Sequence, residues 1–200
     1  MKKLILKTTA ILLILAGVVA CGKENTDNVD FHEITIGSAN PVINYVANGI
    51  EFEFCLLNEQ GEPATIFNEG KNFSFYFQCT NNDVNKELEI DNGFFPDLLL
   101  SGFCYVISQQ NGTIGYPCTL RPYTMEYRKY PLYGEDNRYA VTVPWNCEGW
   151  GDLNCYPESF PKESLSAGKY YTEFTHKFRF LTKKNPIDIP ISVKINFEIK

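Results

Sequence analysis

The chain has 200 residues, a formal net charge of −6 and a hydrophobic fraction of 44%. An acidic chain repels the phosphates of nucleic acid and of anionic lipid, and no basic stripe interrupts it, so nucleic acid is excluded as a partner. Seven cysteines and two histidines occur without a CxxC pair, which excludes a structural zinc site built from close ligands at recurring spacings.

The first element is an apolar run from Ala10 to Ala20, with Lys2, Lys3 and Lys7 before it and polar residues from Gly22 onward. Its length suits the apolar region of a signal peptide, about 7–15 residues, and falls short of the roughly 20 that span a bilayer. The run closes on Val18-Val19-Ala20-Cys21. This tetrapeptide resembles the lipobox of Gram-negative cell-envelope lipoproteins. The resemblance implies cleavage before Cys21, lipid attachment at its thiol, and a place in the cell envelope at the outer membrane, with either face open. The membrane would then be engaged through the lipid anchor alone, and two or more acyl chains hold stably where one holds marginally. Losing the three lysines takes the formal net charge from −6 to −9. The expected organisation is a signal peptide over 1–20, lipidated Cys21 with a flexible polar tether over 21–40, and one domain over 41–200. Glu24, Asp27 and Asp30 give the tether an acidic start, which resembles surface-export signals of some such lipoproteins.

Alternating runs follow. Ile50, Phe52, Phe54 and Leu56 share one face, as do Phe73, Phe75 and Phe77. Further strands are expected near 98–109, 113–120 and 138–144. Tyr170, Thr172, Phe174, His176 and Phe178 form another face, and the clearest two-residue period runs from Ile189 to Ile199. Pro190 should lie at a strand start or on an edge. Turn signals separate the runs: Asn58–Gly61, Asn68–Gly70, Asp91–Gly93, Asn111-Gly112 and Gly134–Asn137. Asp83–Leu88 has room for a single helical turn. Short strands at this spacing predict an all-β chain folded as an antiparallel β-sandwich, with a small β-barrel as the alternative. Leu165-Ser166-Ala167-Gly168-Lys169-Tyr170 resembles the tyrosine corner of immunoglobulin-like domains, and so favours an immunoglobulin-like sandwich.

Six cysteines remain beyond Cys21, an even count that in an exported chain reads as disulfides. A hairpin at Asn111-Gly112 brings Cys104 within one residue of Cys118, a step that a bulge absorbs. Cys147 and Cys155 flank a short loop, and Cys55 with Cys79 follows by elimination. Buried free thiols are the rival reading.

The stretch from Tyr116 to Tyr156 departs from the strand pattern and holds both tryptophans. Trp145, Trp150, Tyr127, Tyr130 and Asp152 are the candidate ligand-binding residues. Aromatic faces can stack on sugar rings while neighbouring amides and carboxylates take the hydroxyls. The rival reading is a satellite aromatic cluster closing one end of the domain. No residue emerges as catalytic, no metal site is assigned and no cofactor is expected. His32 falls in the tether, His176 falls mid-strand, and neither GxSxG nor a phosphate-cradling glycine loop occurs. Glu148, Asp152 and Asn154 have oxygen ligands but match no calcium-loop spacing. The expected role is therefore non-enzymatic binding of a glycan or protein ligand through 116–156. A structural, assembly or protease-inhibitor role is the alternative, and a glycan hydrolase is the third reading. The oligomeric state is not legible.

Overall fold

A computed structural model describes residues 29–83, 85–91, 104–117, 129–146 and 163–200. Among them there is no helix. The strands are β1 (Phe31–Ile34), β2 (Val42–Ala47), β3 (Ile50–Leu57), β4 (Ile66–Phe67), β5 (Ser74–Asn81) and β6 (Leu88–Ile90). They continue with β7 (Tyr105–Ser108), β8 (Gly112–Gly115), β9 (Tyr130–Leu132), β10 (Arg138–Pro144), β11 (Gly168–Leu181) and β12 (Ile187–Ile199).

Two sheets result. The first has the order β1-β12-β11-β6-β9, with β4 also against β12 and the β7–β8 hairpin against β11. The second has the order β10-β5-β3-β2. Pairing is antiparallel except for β1 and β4, which run parallel to β12. The sheets face one another and do not close, so the architecture is a β-sandwich and the barrel alternative falls. The expected period-two faces are the inner faces. Ile189, Ile191, Val193, Ile195, Phe197 and Ile199 are all buried, and so are Phe52, Phe54, Phe75 and Phe77 from the opposing sheet. Phenylalanine rings carry much of the contact between layers. Phe178 stacks on Phe77 at 5.2 Å and meets Phe52 at 5.3 Å, while Phe174 meets Phe54 edge-on at 5.1 Å. Offset and edge-on ring pairs of this kind contribute about 0.5–1.5 kcal/mol each beyond their buried area.

Pro190 lies inside β12, opposite Lys177 of β11. The amide of Ser192, two residues on, points away from β11 and donates to the carbonyl of Asp30 just before β1. The nitrogen of Pro190 therefore points the same way, beyond the start of β1, where no ladder bond is lost. The strand is locally an edge at this point.

Three expectations are corrected. The tether does not extend to residue 40: Phe31–Ile34 pairs with Ser192–Ile195, and Ile34 is buried in the core. The sandwich therefore begins at β1, not at residue 41. Asn196 fixes this short strand, its Nδ2 donating to Glu33 Oε1 at 2.7 Å and to the Ile34 carbonyl at 3.0 Å.

The hairpin near residue 111 is present, but its loop is Gln109–Asn111, with Ser108 opposite Gly112. Gly112 takes φ 76°, the left-handed residue that closes a three-residue loop. A register shift between Val106 and Ile107 puts a bulge in the hairpin, but Cys104 is a free thiol, so the expected pairing with Cys118 is not formed.

Cys55 and Cys79 are free thiols, not a pair. Cys55 lies opposite Tyr76 and Cys79 opposite Phe52, an odd offset along β3 that puts them on opposite faces of the sheet.

Candidate functional site

The aromatic region is anchored by β10. Past Pro144, the Trp145 amide donates to the Phe73 carbonyl at 2.8 Å, extending the β10–β5 ladder. The side chain of Asn72 then replaces a strand: its Nδ2 donates to the Asn146 carbonyl at 3.0 Å and its Oδ1 accepts from the Asn146 amide at 3.2 Å. Asn146 is fully buried, and its own Nδ2 donates to Ser164 Oγ at 3.4 Å. Asn146 is thus bonded to Ser164, eighteen positions further along the chain.

The segment Leu165–Tyr170 forms the expected tyrosine corner. Tyr170 Oη donates to the Ser166 carbonyl at 2.8 Å, and its ring stacks on Phe197 at 5.6 Å. Leu165 is buried in the core, and the Ala167 amide donates to Glu69 Oε1 at 2.8 Å. These contacts tie down the backbone at 164–168, and the same segment lines a surface. A cleft of ≈ 420 Å³ lies there, lined by Asn111, Ile114, Glu163, Ser164, Leu165, Ser166 and Tyr170. Its walls are the tip of the β7–β8 hairpin and the approach to β11. The volume lies in the range of small-ligand sites, about 300–1,000 Å³. An amide, a carboxylate and two serine hydroxyls beside an isoleucine and a tyrosine can hydrogen-bond a polyhydroxyl ligand or a peptide. They offer no paired base and nucleophile.

Trp145 is not a ligand-facing residue. It is fully buried, 5.8 Å from Phe73 with ring planes 7° apart, and its indole Nε1 is buried without a partner. The cause is its position in the ladder, two residues after buried Val143 and so on the β10 face that meets the core.

Tyr130 is half-buried on β9, opposite Ile90, and contacts Tyr139 at 5.0 Å. Ile90 in turn lies opposite Phe180, ten positions along β11 from Tyr170. At 3.3–3.4 Å per residue, Tyr130 is about 30 Å from the cleft, so the region expected to form one patch is divided between the two ends of the sandwich. Tyr127, Trp150, Asp152, Cys21, Cys118, Cys147 and Cys155 lie outside the described residues.

Cys104 is a buried free thiol. Burial pushes the thiols of Cys79 and Cys104 well up, and burial with the nearby Glu53 charge pushes Cys55 up to about 12. All three are protonated and unreactive at neutral pH. His176, expected to be a packed strand residue, meets Phe178 edge-on at 4.6 Å, and burial lowers its pKa. His32 belongs to β1, with its ring 4.8 Å from Tyr45. No cluster of three or more metal-ligating side chains occurs among the described residues.

The cleft residues Asn111, Glu163, Ser164 and Ser166 were not expected as a site. Asn111 falls within a turn signal and Ser166 within the stretch that resembles a tyrosine corner, but only the fold brings them together.

No family model matches the chain, and no curated protein matches it. Among solved structures, the CooA pilin subunit from enterotoxigenic Escherichia coli aligns over 74% of this chain and 98% of its own, at 8% identity and a TM-score of 0.30. A likeness at that level carries no argument about fold or function.

Proposed function

We propose that this chain is a lipid-anchored cell-envelope protein whose β-sandwich binds a glycan or protein ligand without chemical conversion. The anchor rests on the Val18-Val19-Ala20-Cys21 tetrapeptide, behind an apolar run too short to span a bilayer. The binding role rests on one observation: the polar-lined cleft at the tyrosine corner, bounded by Asn111, Glu163, Ser164 and Ser166. Its residue Ser164 is bonded to Asn146, and Trp150 and Asp152 fall between these two in the sequence. A rigid seat of this kind lowers the ordering cost of binding.

Each half has its own test. Cys21→Ser should move the protein from the membrane fraction to the soluble fraction, and an unchanged distribution would remove the anchor. A glycan array and a panel of envelope proteins, probed with the wild type and with Asn111→Ala/Glu163→Ala, should yield a ligand that the double variant binds at least about tenfold more weakly, equivalent to 1.4 kcal/mol. Equal binding by a double variant with an unchanged melting temperature would move the site elsewhere.

A further inference from the structure

Sheet edges expose unpaired backbone donors and acceptors, and proteins guard them with charges, prolines, bulges or brevity. Most described edges follow that rule. β1 carries Glu33, β9 carries Pro131, β10 is bounded by Arg138 and Pro144, β4 has two residues, and β8 lies between Gly112 and Gly115. β2 does not. Its six residues, Val42-Ile43-Asn44-Tyr45-Val46-Ala47, include no charge and no proline, and its register with β3 is unbroken.

The polarity of the edge follows from its turn. Ala47 and Ile50 flank Asn48 and Gly49, which take φ 54° and 79°, both in the left-handed region that a two-residue type I′ hairpin requires. The pair closing such a turn exchanges its backbone bonds, so Ala47, Tyr45 and Ile43 direct theirs toward β3. Val42, Asn44 and Val46 then direct N–H and C=O outward. No described backbone group pairs with them. Val46 is also 59% exposed, an apolar side chain left bare on the same edge.

The charged side chains placed against β2 itself are acidic: Asp30 accepts from Tyr45 Oη at 3.3 Å, and Glu51 and Glu53 lie opposite Val46 and Asn44. Glu51 accepts from Asn44 and Asn82, and these bonds hold its carboxyl below the usual range. Lys194, from β12, is 4.0 Å from Glu33 on the other sheet, and Arg138 projects from the far edge of β2's own sheet.

We propose that the open edge of β2 accepts an extended basic segment of a partner protein as an added antiparallel strand. The added backbone satisfies the outward groups of Val42, Asn44 and Val46. Lysines or arginines of the segment fall on the face that Val46 and Asn44 share with their partners Glu51 and Glu53, their aliphatic stems over Val46, and its apolar side chains fall on the Tyr45 face. Main-chain bonds supply affinity in this mode, and alternate side chains supply selectivity. The surface belongs to the four-stranded sheet and is independent of the cleft at the tyrosine corner.

The test uses the full-length chain and two labelled peptides, one alternating lysine with valine and the other of the same sequence with every backbone nitrogen methylated. The charge is equal, but the second lacks the donors for a ladder. Fluorescence anisotropy should show binding of the unmethylated peptide alone, and Val46→Lys should weaken it at least about tenfold. Amide exchange at Val42, Asn44 and Val46 should slow by at least about tenfold when that peptide is present. Equal binding of both peptides would reduce the effect to charge and overturn the proposal. So would absence of binding, unchanged exchange in β2, or indifference to Val46→Lys in a folded variant. A β2-to-β2 dimer of the chain, seen as a doubled mass that Val46→Lys abolishes, would overturn the choice of occupant.

Discussion

Trp145 stacks on Phe73 with no exposed surface. The ring fills the space between Phe73 and the end of the core, while the Asn72 amide holds the next backbone unit. Trp145→Ala should therefore cost about 3–5 kcal/mol of stability in denaturant unfolding, the range for emptying a fully buried aromatic site. A loss below 1 kcal/mol would contradict the buried stack. His176 supports a second expectation. Burial lowers its folded pKa below the ordinary 6.5, so the unfolded chain binds the proton more readily. Its contribution to stability is full above pH 6.5 and is lost as pH falls through the depressed folded value. Unfolding free energy measured from pH 7.5 down to about 5 should fall, and His176→Gln should flatten that part of the curve. Equal slopes for the two proteins would contradict it.

At the scale of elements, periodicity located the strands that bury one face, because such a strand writes its burial into the sequence every second residue. The faces at 50–56, 73–77, 170–178 and 189–199 are all found, and β10 matches its expected 138–144 span. β1 escaped notice because four residues with a single fully buried side chain, Ile34, carry too little pattern. It exists through its pairing with β12, a contact between the two ends of the chain. β2 escaped although Asn48-Gly49, between two β-rich runs, is a strong hairpin signal. Here the information was in the sequence. The tyrosine corner was legible because its bond is local: Tyr170 reaches back only to Ser166. The pairing of Cys55 with Cys79 failed for the opposite reason, since facing is set by inter-strand register and not by elimination.

In the whole molecule, the chain passes repeatedly between the two sheets, and this brings distant segments to one end. Asn111 comes from a hairpin on the first sheet, Ser164 is tied to Asn146 from the second, and Tyr170 opens the longest strand. Such a site cannot be read from local composition. The aromatic count between Tyr116 and Tyr156 pointed to the right end for Trp145 but also swept in Tyr130, at the opposite end. The central proposal is a ligand seat at the tyrosine corner. Amide exchange on the full-length chain, with and without the strongest ligand from the glycan and envelope-protein screens, tests it most directly. The account predicts slowed exchange confined to Asn111–Ile114 and to 163–166 on the described surface. Protection elsewhere on the sandwich, with these segments unchanged, would contradict it.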